Sequence, residues 1–324
     1  MNSDTSWLAG LHGAVRLQPL PLRLYRRAGI EVSLLRLDEL HPQVSGNKLF
    51  KLSYNLAAAV AAGHRRVLSF GGAFSNHLHA LAYAGRALGL ETIGVVRGEP
   101  AYADNPTLRD ASEWGMHLHF VDRQAYRHKT SEQFLTALRA RFGDFFLIGE
   151  GGRGELALKG CGQILECLGP DVLARTDLIG LAVGTGSTLA GLISARPGHC
   201  RLLGFPVLKG AEFLYSDVRD QLQQAGVSDP GGWRLCLDAH EGGYGRVSPQ
   251  LAAFVPSFER ETGILLDPVY TGKMLLGFNR LVAAGGVPAG TAVVLVHTGG
   301  MQGVRGMAKT LYDLRSAFCG ALPL

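Results

Sequence analysis

Short apolar runs alternate with alanine- and leucine-rich helical patterns along almost the whole chain, and this alternation constrains the fold more than any other feature. The strand-like runs include residues 93–96, 117–121, 145–148 and 201–205. Strands that alternate with helices in this way form mostly parallel sheets with helices packed on both faces. The sequence therefore predicts an α/β fold built from open, mostly parallel sheets flanked by helices.

Two breaks in this pattern divide the chain. One lies around Tyr54, and the other is the glycine-rich segment Gly149-Glu150-Gly151-Gly152. We predict a small inserted domain over residues 54–152 and a large domain formed by residues 1–53 and 153–324. A chain of 324 residues is long enough for two domains that each bury a core.

Lys48 stands at the start of a predicted helix, directly after the turn Ser45-Gly46-Asn47. Apolar residues follow it at helical spacing, at Leu49, Leu52, Leu56 and Val60. The free N–H groups and the dipole at a helix start disfavour a further positive charge, so the amine of Lys48 should lose its proton easily. A neutral amine can attack a carbonyl and attach an aldehyde cofactor such as pyridoxal phosphate. Taken alone, the pattern fits a surface lysine at a helix start as well.

A second segment has the features of a phosphate-binding loop. The strand-like run 178–183 leads into a helix start through the turn Gly184, Thr185, Gly186, Ser187 and Thr188. The glycines let backbone amides point inward, the hydroxyl groups add donors, and the following helix directs its N-terminus at an anion. An ordinary strand-to-helix turn has the same outline. Nucleotide binding is disfavoured, because no Gly-Lys-Ser/Thr triplet is present and Leu189 occupies the third glycine position of the dinucleotide pattern.

A third polar turn follows the strand-like run 67–72. Ser75, Asn76 and His77 offer a hydroxyl, an amide and an imidazole at the start of an alanine- and leucine-rich helix. These groups suit a substrate carboxylate. A Ser-Asn pair before a helix is also a common N-cap, so this turn alone is compatible with either role.

Two more polar turns lie near the C-terminus. The segment Asp267-Pro268-Val269-Tyr270-Thr271 combines a turn with an aromatic hydroxyl, and the apolar run 293–296 ends in His297-Thr298-Gly299-Gly300. Because ligands of open α/β sheets collect beyond the carboxyl ends of the strands, we expect these polar turns to converge on one crevice. By itself, Tyr270 fits an interior tyrosine too.

These segments, in this order, resemble the 1-aminocyclopropane-1-carboxylate deaminase and D-cysteine desulfhydrase family of fold type II pyridoxal-phosphate enzymes. The resemblance extends from about Leu20 to Gly300. It rests on the combination of Ser-Gly-Asn-Lys, Ser-Asn-His, Gly-Thr-Gly-Ser-Thr, Asp-Pro-Val-Tyr-Thr-Gly-Lys and His-Thr-Gly-Gly. It implies a cofactor, pyridoxal 5′-phosphate, in the cleft between two domains, and a small amino acid as substrate.

The resemblance also implies which residues hold the cofactor. Lys48 matches the lysine that binds the cofactor covalently, with Asn47 before it, and Lys51 matches a basic residue near the phosphate. Asn76 matches the residue beside the ring hydroxyl. The residues Gly184 to Thr188 match the phosphate loop.

Other residues match positions that contact the substrate in the family. Ser75 matches a serine near the substrate, and Asn76 and His77 are the further substrate contacts that we predict. Tyr244 and Tyr270 match two active-site tyrosines.

The partner of the cofactor's ring nitrogen distinguishes branches of the family. The deaminase branch has a glutamate after the tyrosine of the Asp-Pro-Val-Tyr segment, whereas this chain has Thr271, and Thr298 stands where the desulfhydrase-like branch offers a hydroxyl. A neutral hydroxyl makes the ring a weaker electron sink than a carboxylate does, which suits elimination of a good leaving group. We therefore predict β-elimination to pyruvate and ammonia, with Lys48 as the base for the Cα proton.

Two alternatives stay open. The first is ring opening of 1-aminocyclopropane-1-carboxylate to 2-oxobutyrate, and the second is a relative that binds the cofactor or a ligand without turnover. The second arises because Phe74 stands where a glutamine commonly precedes the serine, which removes a polar side chain from beside the substrate carboxylate.

Composition and charge exclude other functional classes. The formal net charge is +5, but the basic residues are scattered, so no nucleic-acid surface is predicted. The five cysteines form no C-x-x-C pattern, and the histidines show no metal-ligand spacing, so neither a disulfide framework nor a metal site is indicated. These cysteines are Cys161, Cys167, Cys200, Cys236 and Cys319.

The location of the protein is predicted from the N-terminal segment and the apolar stretches. Met1 to Ala14 lack the basic start of a signal peptide, and the apolar stretches are too short to span a membrane. We therefore expect a cytoplasmic protein without a membrane partner. We further predict a homodimer.

Overall fold

The computed structural model describes residues 15–302 and 304–305. Met1 to Ala14 and Cys319, which enter the predictions above, lie outside the described residues. Within the described part of the chain, no helix is both long and apolar enough to cross a membrane.

Two sheets organise the structure. The strands are β1 (Leu17–Pro19), β2 (Glu31–Arg36), β3 (Arg66–Gly72), β4 (Glu91–Arg97), β5 (His117–Val121), β6 (Phe146–Leu147), β7 (Leu178–Val183), β8 (Arg201–Pro206), β9 (Trp233–Leu235) and β10 (Ala292–His297). A six-stranded sheet has the order β1-β2-β10-β7-β8-β9, and a four-stranded sheet has the order β5-β4-β3-β6. Strands β1 and β2 pair antiparallel, whereas the other pairs in the described residues are parallel.

Helices connect the strands and flank the sheets. They are α1 (Arg23–Ala28), α2 (Asn47–Ala61), α3 (Asn76–Leu88), α4 (Pro106–Glu113), α5 (Arg123–Arg127), α6 (Glu132–Phe142), α7 (Glu155–Gly162), α8 (Gly169–Arg175), α9 (Ser187–Ala195), α10 (Leu214–Gln224), α11 (Pro249–Thr262) and α12 (Thr271–Ala283). Mostly parallel sheets with intervening helices confirm the predicted fold class.

The four-stranded sheet lies within the segment that the sequence predicts as an inserted domain, since its strands span residues 66–147. Tyr54 falls inside α2, so the chain reaches this sheet along a continuous helix. The exact division at residues 54 and 152 stays a prediction.

Helix α2 is fixed by its apolar face. Leu49, Phe50, Leu52 and Leu56 are fully buried and belong to a core cluster that also contains residues of both sheets, such as Val67 and Ile179. Full burial of one such side chain contributes roughly 1.5–3 kcal/mol. The start of α2 is therefore held rigidly in place, and Lys48 with it.

The carboxyl ends of the central strands meet at one edge of the larger sheet. In the parallel register, His297 of β10 is opposite Arg36 of β2, and Val296 is opposite Leu181 of β7. The turns that follow β7 and β10 therefore leave the sheet side by side. They contain Gly184 and Thr298.

Candidate active site

Lys48 is the second residue of α2, as predicted for a lysine in the first turn of a helix. Its Nζ donates a hydrogen bond to Asn47 Oδ1 at 2.7 Å. Burial, and then the positive charge of Lys51, lower the pKa of Lys48 to about 7. The sequence predicts this direction from the helix dipole, whereas burial is the larger cause in the structure. The amine of Lys48 can therefore be neutral, and so nucleophilic, near neutral pH.

The start of α2 lies against the turn after β10. Gly46 has φ of 68° and ψ of −150°, and a Cβ added to it would lie only 1.9 Å from the carbonyl oxygen of Thr298. The amide of Asn47 donates to that same oxygen at 3.3 Å. This close approach places Lys48 beside Thr298.

The predicted phosphate loop forms the N-terminus of α9. Gly186 has a positive φ of 81° and is the N-cap, and no side-chain hydrogen bond caps this end of the helix in the described residues. Gln221 Nε2 donates to the carbonyl oxygen of Thr185 at 3.0 Å, which holds the turn in place. First-turn amides without a capping side chain form an anion site.

Lys51 and Asn47 connect this loop to α2. Asn47 Nδ2 donates to Thr188 Oγ1 at 2.8 Å, and the 4 % exposed Lys51 donates from Nζ to the carbonyl oxygen of Gly151 at 3.0 Å. A Cβ added to Gly151 would lie 3.1 Å from Thr185 Cγ2, so the segment that Lys51 contacts packs on the loop. The structure thus brings a buried positive charge alongside the loop.

The turn before α3 has one capping residue and two residues with unused polar atoms. Ser75 Oγ accepts the amide of Leu78 at 3.2 Å, so Ser75 is an N-cap. Within the described residues, Asn76 Oδ1 and His77 Nδ1 are buried without a hydrogen-bond partner. Since such atoms cost free energy when unpaired, they indicate groups kept for a ligand.

His77 is a neutral group in this site. Its Nε2 contacts Ser69 Oγ at 2.9 Å, and Ser69 donates in turn to the carbonyl oxygen of Ile148 at 2.8 Å. The proton of His77 therefore lies on Nε2, which leaves Nδ1 as an acceptor. Burial, then the charges of Lys48 and Lys51, lower the pKa of His77 well below its ordinary value.

Asp267 organises the start of α12, a role that was not predicted for it although it belongs to one of the polar turns of the sequence. Its carboxylate, in a residue only 1 % exposed, accepts the amides of Val269 at 3.0 Å, Tyr270 at 2.6 Å and Thr271 at 2.9 Å. An aspartate before a proline, a few residues ahead of a helical pattern, is the local signal that identifies such a cap.

We expect Asp267→Asn to destabilise the protein by about 2 kcal/mol, because one oxygen is replaced by an NH₂ group that faces the amide of Thr271. Asp122→Asn is the matched control, since a single oxygen of Asp122 accepts both amides at the start of α5. Its cost should be below about 0.5 kcal/mol, because asparagine caps helices as well as aspartate does. Urea unfolding of both variants measures the difference, and equal costs would contradict the role assigned to the second oxygen.

Tyr270 and Tyr244 lie together beside the phosphate loop. Their ring centroids are 6.2 Å apart with an interplanar angle of 73°, and a Cβ added to Gly184 would lie 3.4 Å from Tyr270 Cε1. Burial, followed by the proximity of Tyr244, raises the pKa of Tyr270 well above its ordinary value. Its hydroxyl is therefore protonated, and Tyr244, at 47 % exposed, faces the solvent side of the pair.

The two threonines proposed for the ring nitrogen differ in environment. Thr271 is fully buried with its hydroxyl 3.5 Å from His297 Nδ1, whereas Thr298 keeps a small exposed fraction and contacts the start of α2. His297 is held by a hydrogen bond from Nε2 to the carbonyl oxygen of Leu265 at 2.9 Å. The choice between the two threonines stays a prediction.

The residues present fit pyridoxal phosphate. An uncapped helix N-terminus suits its phosphate, a lysine with a lowered pKa suits its aldehyde, and unpaired Asn76 Oδ1 suits a polar group of its ring. Among the described residues, no group of three or more histidine, cysteine, aspartate or glutamate side chains is placed to hold a metal ion.

Comparison with known proteins points to the same chemistry. A family model described as pyridoxal-phosphate dependent enzyme matches residues 12–299. The chain is 27 % identical over 312 residues to a putative 1-aminocyclopropane-1-carboxylate deaminase of Pyrococcus abyssi, with 92 % of each chain covered. It is also 27 % identical to the mitochondrial bifunctional D-cysteine desulfhydrase/1-aminocyclopropane-1-carboxylate deaminase of Arabidopsis thaliana, with 88 % of this chain and 77 % of that one covered. A solved structure of an ACC deaminase homologue matches with a TM-score of 0.81 at 27 % identity, covering 93 % of both chains.

Proposed function

Because this chain belongs to the pyridoxal-phosphate dependent enzyme family, we propose that it is a lyase that eliminates a leaving group from the β-carbon of a small amino acid. One observation carries the proposal. Lys48, with a pKa of about 7, stands at the edge of the larger sheet where the uncapped N-terminus of α9 also lies. Asn76 approaches this edge from the smaller sheet, because its Nδ2 would lie 3.0 Å from a Cβ added to Gly300 after β10, and its Oδ1 has no partner in the described residues.

Three groups of residues would hold the cofactor. The loop from Gly184 to Thr188 and the N-terminus of α9 bind the phosphate, with Lys51 as the adjacent positive charge. Lys48 provides the amine for covalent attachment. When bound, pyridoxal phosphate supplies an aldehyde for that amine and a ring that withdraws electrons from the substrate's Cα.

The substrate would be held on the other side of the site. Asn76 and His77 present unpaired polar atoms, and Ser75 stands at the N-terminus of α3, where a carboxylate is favoured. Tyr270 donates from a protonated hydroxyl. Lys48 would take the Cα proton, and Asn47 Oδ1, which accepts a hydrogen bond from its Nζ, would orient the amine.

The threonines support elimination rather than ring opening. Thr271 and Thr298 are neutral, so neither places a carboxylate charge at the ring nitrogen. With cysteine as substrate, the Cα–H and Cβ–S bonds break, and hydrolysis of the resulting enamine consumes one water. The products are pyruvate, ammonia and hydrogen sulfide. The Arabidopsis relative is named for both activities, D-cysteine desulfhydrase and 1-aminocyclopropane-1-carboxylate deaminase.

A panel of amino acids tests the proposed reaction. The purified protein, loaded with pyridoxal phosphate, is incubated with D- and L-cysteine, D-serine, 3-chloro-D-alanine and 1-aminocyclopropane-1-carboxylate. We expect pyruvate from at least one of the β-substituted amino acids. Formation of 2-oxobutyrate from the cyclopropane compound would contradict the elimination assignment, and spectral changes without any product would favour ligand binding without turnover.

Loading of the cofactor should depend on pH. Because a neutral amine is needed and the pKa of Lys48 is about 7, the rate should rise from pH 6 to pH 8 and then level off. Lys51→Met removes a charge that lowers this pKa, so the midpoint should move to higher pH by about half a unit or more. Lys159→Met is the control, because Lys159 lies over the ring of Tyr54 and is exposed.

Stopped-flow absorbance of the apo protein mixed with pyridoxal phosphate gives the midpoint for each variant. An unchanged midpoint in Lys51→Met would show that Lys51 does not act on Lys48. An equal shift in Lys159→Met would show that the effect is one of net charge.

We also propose that the protein acts in the cytoplasm as a homodimer. The cysteines that the structure describes, Cys161, Cys167, Cys200 and Cys236, are free thiols, which suits a reducing compartment. Light scattering during size-exclusion chromatography tests the dimer, and a monomer mass would contradict it.

A further inference from the structure

Tyr244 lies in a glycine-rich turn, residues 241–245, whose backbone has several positive φ angles. Glu241 is the non-glycine residue with a positive φ, 51°, in the described part of the chain, and Gly242, Gly243 and Gly245 also have positive φ. Glycines make such a turn flexible, and a non-glycine residue in this region is strained. The turn therefore needs fixed partners to hold Tyr244 in one place.

Lys273, in the neighbouring helix α12, is one such partner. Its side chain is fully buried, and Nζ donates to the carbonyl oxygens of His240 at 2.8 Å and Gly243 at 2.6 Å. These two carbonyls also accept turn amides, from Gly243 at 3.0 Å and from Arg246 at 3.1 Å. One ammonium group thus binds both ends of the turn.

The strained residue is held by the same helix. The carboxylate of Glu241 pairs with Arg280 of α12 and accepts a hydrogen bond from Ser248. Lys273 and Arg280 are seven residues apart, which places them on the same face of α12 two turns apart. Helix α12 therefore contacts the turn at two points, through Lys273 and through Arg280.

Tyr270, the partner of Tyr244, directly precedes α12. Tyr270 is its N-cap residue, and the two rings are 6.2 Å apart. Any motion of the turn relative to α12 changes the distance between the two tyrosines. The contacts that α12 makes with the turn therefore also fix the distance between Tyr244 and Tyr270.

We propose that Lys273 is a positioning residue that sets Tyr244 against Tyr270 by binding the carbonyl oxygens of His240 and Gly243. The functional part of this proposal rests on the proposed function and on the prediction that Tyr244 and Tyr270 are both active-site tyrosines. Its structural part does not, because the contacts of Lys273 exist in the protein alone.

Lys273→Met tests both parts, because methionine has a similar length but donates no hydrogen bond. We expect faster hydrogen–deuterium exchange of the Gly243 and Arg246 amides, with unchanged exchange in β7 and β10. Lys209→Met is the matched control, since Lys209 is exposed and lies next to Gly243, and its side chain forms no hydrogen bond with the part of the chain that the structure describes. Lys273→Gln, which keeps two N–H donors, should restore part of the protection.

The second readout separates positioning from general damage. On a substrate identified in the amino-acid panel, Lys273→Met should lower kcat/KM by about tenfold, the effect of roughly one hydrogen bond to a charged group. In a Tyr244→Ala background the same change should cost less than about twofold, because Tyr244 is no longer there to be positioned.

Unchanged exchange in Lys273→Met, or an equal loss of kcat/KM in both backgrounds, would overturn the proposal. The exchange experiment needs no substrate. If exchange is faster in Lys273→Met but the protein has no activity on any substrate, the structural role of Lys273 stands and only the proposed function is contradicted.

Discussion

Replacing Lys48 by alanine should reduce turnover by at least about 10⁴-fold, because one amine serves as the point of cofactor attachment and as the base. Lys48→Arg should be equally inactive. Its guanidinium keeps the positive charge but stays protonated, so it cannot attack an aldehyde. Product formation under saturating substrate and cofactor measures the loss.

Both variants should stay folded, since within the described residues the Lys48 side chain bonds only to Asn47, and the helix α2 is held by its buried leucines. Circular dichroism and urea unfolding verify this. Lys159→Ala is the control and should keep full activity, because Lys159 is an exposed residue of α7. Turnover above about one tenth of the original rate in Lys48→Arg would remove Lys48 from its role.

The largest effect on stability should come from Gly46→Ala. The backbone at φ of 68° and ψ of −150° is in a region that only glycine adopts readily, and the new Cβ would lie 1.9 Å from the carbonyl oxygen of Thr298. The atoms that the Cβ meets at Thr298 and Gly299 are backbone atoms, and the Cβ position is itself fixed by the backbone of residue 46, so neither side can rotate away. We expect a loss of about 4 kcal/mol or failure to fold.

Gly63→Ala separates backbone strain from the clash. Gly63 also has a positive φ, 75°, but a Cβ added there would meet nothing within 4 Å. Its cost should be about 1 kcal/mol, the ordinary penalty of alanine in a left-handed conformation. Urea unfolding compares the two variants, and similar costs would mean that the contact between Gly46 and Thr298 does not set the start of α2.

Much of the fold and part of the site follow from local sequence signals. The apolar spacing from Leu49 to Val60 predicts α2 with Lys48 in its first turn, and the structure confirms it. The run 178–183 with its glycine turn predicts a strand, loop and helix in this order, which are also found. These predictions succeed because periodicity and turn chemistry act over a few residues.

Contacts between distant segments could not be predicted in the same way. From its position in the sequence, Lys273 is a polar residue early in a helix. In the structure it is fully buried, and it donates hydrogen bonds to carbonyl oxygens some 30 residues earlier in the chain. His297 is likewise fixed by Leu265, which the sequence does not pair with it. The residues next to Lys273 and His297 in the sequence do not indicate these hydrogen-bond partners, because the partners come close only when α12 packs on the larger sheet.

The roles of the site residues depend on a covalent link that one chemical experiment locates. The protein, loaded with pyridoxal phosphate, is reduced with borohydride, digested and mapped by mass spectrometry. We predict a phosphopyridoxyl group on the peptide that contains Lys48, and on Lys48 itself. A label on Lys51, Lys273 or another lysine, or no label at all, would contradict the account.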